Sequence, residues 1–224
     1  MDIRPRRNKS HMFTGLIETV CKVKSVRRGG GAMLLNIDLG NLADECKIGD
    51  SIAVNGVCLT ITKFEGGGAV FDVSAETLSK STLDGLSPSS EVNIERAVKA
   101  TDRFGGHFVQ GHIDGAATVQ AIDRQGKFAE IKFAAGAELL DGMVVKGSVA
   151  VDGISLTISG MDKDSFSVAL IPETLNKTVL SKVKIGDNVN IETDIIVKTI
   201  KSQLEKILPQ TQPLTAEKLK GLGF

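Results

Sequence analysis

The sequence predicts an all-β protein: two tandem six-stranded Greek-key barrels followed by a C-terminal α-helix. The first observation behind this is that the chain repeats itself, because AVNGVCLTIT at 53–62 returns as AVDGISLTIS at 150–159, about 97 residues later. At the same offset AETLSK (75–80) meets PETLNK (172–177), and VNIE (92–95) meets VNIE again (189–192). Within each copy, short runs of Val, Ile, Thr and Phe alternate with polar residues and are bounded by Gly, Asp, Asn and Ser, which is the periodicity of strands. Roughly six such strands in about 90 residues cannot bury both faces as an open sheet, so closure into a small barrel is the economical arrangement.

The first copy reads as strands at 13–26, 33–39, 51–54, 57–64, 69–74 and 92–97. Its opening strand, FTGLIETVCKV (13–23), has its counterpart in VQGHIDGAATV (109–119). The glycine triplets at 29–31 and 66–68 fall between strands, where tight turns need positive φ. No glycine-rich loop leads from a strand into a long helix, so a dinucleotide cradle is disfavoured. Segments 76–81 and 173–179 read as single helical turns that begin with Glu, a charge suited to a helix start. From residue 196 the pattern changes, with Val197, Ile200, Leu204 and Ile207 recurring at helical spacing, Thr193 or Asp194 as the N-cap and Pro209 as the stop. This amphipathic helix either covers one end of a barrel or joins subunits. The expected domains are therefore a basic extension at 1–11, barrels at 12–106 and 107–195, and a helix with a tail at 196–224.

Composition narrows the function. Formal charge is zero and the pI about 6.8, whereas neutralising nucleic-acid phosphates takes a surplus of Lys and Arg. Nine Phe are the only aromatics, which leaves no stacking platform for single strands. No apolar run approaches a bilayer span and no secretory signal is visible, so a cytoplasmic protein is expected. Cys21, Cys46 and Cys58 are odd in number and lack CxxC spacing, which suggests neither a disulfide framework nor a zinc site. A small, weakly charged ligand fits best.

The ordered set MFTGLIE, NGVCLT, the ET turns, GGHFVQGHIDG, VDGISLT and LIPETL, running from Met12 to about Leu208, closely resembles the two-barrel riboflavin synthases. The resemblance implies that two molecules of 6,7-dimethyl-8-ribityllumazine exchange a four-carbon unit, giving riboflavin and a ribitylamino-pyrimidinedione, with no cofactor and no metal. It also implies a homotrimer in which the N-terminal barrel of one subunit faces the C-terminal barrel of another; on association with lumazine synthase the sequence says nothing. Carried over by motif, the N-terminal pocket takes Phe13, Thr14, Gly15, Leu16 and Ile17, Ser51, then Cys58, Leu59 and Thr60, and Asp72, Val73, Ser74, Ala75, Glu76 and Thr77. The C-terminal pocket takes Gly111, His112 and Ile113, Lys146, then Ser155, Leu156 and Thr157, and Ala169, Leu170, Ile171, Pro172, Glu173 and Thr174. Strand ends would offer backbone groups to the pyrimidinedione edge, and the ET dipeptides would hold ribityl hydroxyls. By the same resemblance Cys58 and Ser155 are the polar groups near the reacting ends, with Thr157, His112 and Asp194 moving protons or activating water. One lumazine loses a proton from its 7-methyl group and the other accepts a nucleophile at C7; which barrel holds which is left open.

Duplication gives this chemistry a physical reason of its own. Donor and acceptor are the same compound, so two near-copies of one pocket recognise both, and holding two reactants in register can remove about 7–11 kcal/mol of a barrier. The copies differ where Cys58 stands opposite Ser155, Asn55 opposite Asp152 and Ala97 opposite Asp194. Blander readings stand beside these: Cys58 as an inert core thiol, Lys146 as a solvated charge, His107 as scaffold support. The rival functions are a lumazine or flavin carrier in which one repeat has decayed, a flavin-dependent reductase, which would need a βαβ nucleotide domain, and a purely structural repeat.

Overall fold

The computed structural model describes residues 12–207; the extension 1–11 and the tail with Pro209 lie outside the described residues. The first barrel comprises β1 (Thr19–Gly29), β2 (Ala32–Asp38), β3 (Ser51–Val54), β4 (Val57–Glu65), β5 (Gly68–Val73) and β6 (Glu91–Arg96), with a short helix α1 (Ala75–Lys80) after β5. The second repeats it as β7 (Gly115–Gln125), β8 (Phe128–Ala134), β9 (Ser148–Val151), β10 (Ile154–Met161), β11 (Ser165–Leu170) and β12 (Asn188–Thr193), with α2 (Ala137–Leu140) before β9 and α3 (Pro172–Lys177) after β11. Both sheets close with the same strand order, β1-β2-β5-β4-β3-β6 and its counterpart β7-β8-β11-β10-β9-β12. Helix α4 (Ile195–Ile207) ends the described chain. Asp194 caps it by accepting a hydrogen bond from the Ile196 N–H at 2.9 Å, which settles the choice between Thr193 and Asp194.

Each barrel fills its interior with side chains from alternate strand positions, such as Leu35, Ile61 and Phe71 in the first and Ile131, Ile158 and Phe166 in the second. One expectation fails. The opening strand begins at Thr19 rather than at residue 13, because Gly15 takes φ +77 and turns the chain out of the extended path. Residues 12–18 and 108–114 are instead straps, joined to each other by a bridge between Phe13 and Val109. Each strap crosses to the other barrel: Ile17 packs on the second core and Ile113 on the first.

The barrels meet through a third apolar cluster, Phe13, Ala53, Val109 and Ala150, ringed by hydrogen bonds that repeat under a pseudo-twofold. Asn93 donates its amide to the Asp152 carbonyl at 3.0 Å and accepts from the Val179 N–H at 2.9 Å. Asn190 donates to the Asn55 carbonyl at 2.9 Å and accepts from the Thr82 N–H at 2.7 Å. Between them the tight turns Asn55-Gly56 and Asp152-Gly153, all with positive φ, lie back to back. A Cβ on Gly56 would sit 2.6 Å from the Gly153 nitrogen, and one on Gly153 would sit 2.7 Å from the Gly56 nitrogen.

This contact separates conformation from packing. Gly30 also has positive φ, at +61, but nothing lies within 4 Å of its would-be Cβ. Gly30→Ala should therefore cost only the left-handed penalty of about 1–2 kcal/mol. Gly56→Ala should lose about 2 kcal/mol more, because a backbone must move to admit the methyl. Urea unfolding of both variants measures the difference, and equal losses would mean that the turns do not press on one another.

Candidate active site

Two constellations are built the same way, each by a strap lying across a strand of the other barrel. At the first, the Cys58 N–H donates to the Gly111 carbonyl at 2.9 Å; at the second, the Ser155 N–H donates to the Gly15 carbonyl at 2.8 Å. Glycine is required at both crossings. A Cβ on Gly111 would fall 2.4 Å from the Cys58 Cβ, and one on Gly15 2.6 Å from the Ser155 Cβ, each at positive φ.

These crossings correct the expected grouping. Gly15, Leu16 and Ile17 belong with Ser155, Thr157 and the β11–α3 turn, whereas Gly111, His112 and Ile113 belong with Cys58, Thr60 and the β5–α1 turn. On the outer wall of the first barrel, Cys58 is half-buried, while Thr60 and Asp72 are exposed beside Ser74, Ala75, Glu76 and Thr77. On the second, half-buried Ser155 precedes exposed Thr157, with Ala169, Ile171 and Glu173 exposed and Pro172 and Thr174 half-covered. The alternating neighbours Leu59, Val73, Leu156 and Leu170 point into the barrel cores, so they can offer a ligand only backbone. Phe13 is fully buried between the barrels and lends no surface. Ser74 caps α1 through the Thr77 N–H, and Glu76 and Glu173 pair with Lys80 and Lys177 one turn on.

Lys146 is exposed and holds a left-handed backbone at φ +68, where the first copy has Gly49 at φ +92. A lysine in that conformation costs about 1–2 kcal/mol over glycine.

The polar groups differ between the two sites. Burial pushes the Cys58 thiol up, a hydrogen bond with buried Ser51 pulls the other way, and Glu192 adds to the rise. Cys58 is thus held as a thiol rather than a thiolate. Ser155 has a stronger partner: its Oγ lies 2.7 Å from Nδ1 of buried His107. Burial pulls the His107 imidazole below its ordinary range, against the carboxylate of nearby Asp194, which favours the neutral ring. The sequence alone presents His107 as scaffold support; the structure sets it in hydrogen-bond contact with the Ser155 hydroxyl. His112 is exposed on the strap across Cys58.

Two further residues escaped the sequence reading. Glu95 accepts hydrogen bonds from the Thr14 N–H at 2.7 Å, the Thr14 hydroxyl at 2.8 Å and the Gly15 N–H at 3.0 Å. Glu192 does the same for the other strap, from the Gln110 N–H at 2.7 Å and the Gly111 N–H at 2.9 Å. Both are positioning residues. The signal was the exact return of VNIE, in which Asn and Glu share the face turned away from the core. A cavity of about 500 Å³ opens beside Glu95, lined among others by Thr14, Leu16, Ser51 and Arg96. Among the described residues no group of three or more His, Cys, Asp or Glu has the geometry to hold a metal ion.

The buried carboxyls make stability depend on pH. Burial raises Glu95 to about 7 against the pull of its three donors, and raises Asp152, at the barrel interface, to about 7. Unfolded, these groups release their protons near 4.5 and 3.8, so between those values and 7 the native state binds more protons. Stability should therefore fall as pH rises from about 5 to about 7. Glu95→Gln should flatten that fall by roughly 1–3 kcal/mol in urea titrations across the window. An unchanged slope would mean that Glu95 is already ionised in the native protein.

Comparison with known proteins agrees with this construction. A model of the lumazine binding domain matches twice, at residues 14–97 and 110–194. The riboflavin synthase of Bacillus subtilis (strain 168) is 42% identical over 87% of this chain and 91% of its own length. That of Actinobacillus pleuropneumoniae is 40% identical over 95% of this chain and 100% of its own. In structure, LumP complexed with 6,7-dimethyl-8-(1'-D-ribityl) lumazine superposes with a TM-score of 0.74 over 81% of this chain and 99% of its own, at 21% identity, which speaks for the fold. LumP complexed with riboflavin gives a TM-score of 0.75. With both lumazine binding domains intact and this level of identity along nearly the whole chain, the protein belongs to the riboflavin synthase family.

Proposed function

We propose that the chain converts two molecules of 6,7-dimethyl-8-ribityllumazine into one riboflavin and one 5-amino-6-(D-ribitylamino)uracil. The observation that carries this reading is the reciprocal crossing of the straps. It makes two sites of one design, one walled by Cys58 and one by Ser155, for two copies of one reactant. The exchange balances in atoms and electrons between the two lumazines, so it calls for no outside oxidant. Catalysis then rests on alignment and proton transfer. The exposed hydroxyls and carboxylates of Thr60, Asp72, Glu76, Thr157 and Glu173 suit a ribityl chain, and backbone at the strap crossings suits the pyrimidinedione edge. With its own proton on Nε2, neutral His107 draws the Ser155 proton at Nδ1 and makes the serine oxygen the better nucleophile toward a ring carbon. At the other site the Cys58 thiol and His112 flank the ring as proton carriers.

A working pair is proposed to form between subunits of a homotrimer, with the two barrel types face to face. Supporting it, both constellations lie on outer walls and α4 leaves Ile196, Ile200, Leu204 and Ile207 exposed along one side. That stripe is what a helix shows when it packs on its symmetry mates. A cytoplasmic setting belongs to the same proposal, which the three unpaired cysteines suit.

The competing reading is a carrier that binds lumazine without turning it over. The Ser155–His107 pair favours the enzyme, since mere binding needs no base at a hydroxyl. Incubation with 6,7-dimethyl-8-ribityllumazine alone should produce riboflavin absorbance; ligand bound without product would establish the carrier. Cys58→Ser should keep fold and binding but lose much of the turnover, and Ser155→Ala should lower kcat by about 10²–10⁴ with ligand affinity within a few-fold. An unchanged steady-state rate in either removes that residue from the chemistry. Truncation after Asp194 should leave a species lighter than three chains on sedimentation, and a truncated trimer would show that other contacts hold it.

A further inference from the structure

We infer that Phe104 and Phe108 form an aromatic wall for the flat bicyclic ring at the Ser155 site, and that the Cys58 site lacks such a wall. The inference rests on the proposed function and adds to it a residue pair that sets the two sites apart in affinity.

The segment between the two phenylalanines is wedged into the site. A Cβ on Gly105 would meet Leu16 at 2.9 Å, and one on Gly106 would meet the Thr14 carbonyl oxygen at 1.9 Å and the Ser155 Cβ at 3.1 Å. The next residue, His107, donates its N–H to that same carbonyl at 3.1 Å and holds the Ser155 hydroxyl at 2.7 Å. The Phe104 and Phe108 rings flank this run. Their centroids are 4.7 Å apart and their planes inclined at 39°, yet each remains about two-fifths exposed, and Leu16 beside them is half exposed. Three large apolar side chains thus stand open around a segment that lies against Ser155.

The occupant follows from the hydroxyl. The Ser155 hydroxyl is held at His107, so a ring presented to it comes up against the 104–108 run, whose exposed apolar side chains are Phe104 and Phe108, with Leu16 against Gly105. Aromatic faces bind planar heterocycles by offset stacking and apolar burial, and need no hydrogen bond to do it. The duplication supplies the contrast: the residue corresponding to Phe108 on the other strap is Met12, a flexible side chain with no flat face.

Fluorescence titration with 6,7-dimethyl-8-ribityllumazine and, separately, with riboflavin tests this on the full chain. The wild type should bind two ligands per chain in two classes. The Phe104→Ala/Phe108→Ala double variant should weaken one class by about tenfold or more and leave the other in place. Phe104→Leu/Phe108→Leu, which keeps the bulk without the flat face, should fall between, and guards against a fold defect in the alanine variant. Phe128→Ala, at an exposed strand end in the second barrel, should change neither class. Two unaltered classes in the double alanine variant would overturn the inference while leaving the proposed function standing. Loss of both classes together with a drop in mass on sedimentation would overturn it in favour of a second copy of the chain covering these rings. A wild type that binds no ligand would remove the functional reading and this inference with it.

Discussion

Everything in the molecule leans on the bridge that Asn93 and Asn190 make between the barrels. Each side chain spans from its own strand to a turn carbonyl and a backbone N–H of the other half, and each is wholly buried. Buried backbone groups left unpaired cost about 1–3 kcal/mol each, so neither half can withdraw without stranding several at once. The bridge also reaches the sites. Thr82 and Val179 open the short turns that follow α1 and α3, the helices that carry the Glu-Thr dipeptides. Docking and ligand shelf are thereby one mechanical unit, which suits a reaction in which register between two rings is the main requirement.

Much of the fold was legible in the sequence because the repeat made each half a control on the other. Strand periodicity, glycine-bounded turns and the helical spacing after Asp194 rest on local chemistry, and they appear within a few residues of where they were placed. The straps were not legible. FTGLIE alternates as a strand does, and only the long-range bond from Ser155 to Gly15 reveals that it crosses to another barrel. The roles of His107 and Glu95 were hidden for a related reason. A histidine five residues from another looks unremarkable, and a glutamate at a strand end reads as solvent-facing, until the fold brings a serine hydroxyl to one and three donors to the other. The grouping of residues into pockets is hidden in the same way, because each strap lies against a strand of the other barrel.

Duplication has left the two sites alike in backbone and unlike in side chain. The crossings, glutamate clamps and outward hydroxyls recur, whereas thiol stands against hydroxyl, Ser51 against His107 as its partner, and glycine against a left-handed Lys146. Geometry held in common lets both recognise one compound. On the proposed reading, differences at these few atoms are what would let two like molecules take different parts.

The exchanged straps bear on how such a chain came about. Cut free, a single barrel would carry six or so residues of backbone with nothing to lie on, and an exposed strand lacking half its ligand wall. Such a half could cover its strap and complete that wall only against a second copy of itself, so the duplicated chain carries within one molecule the partnership that a lone barrel would have to find by encounter.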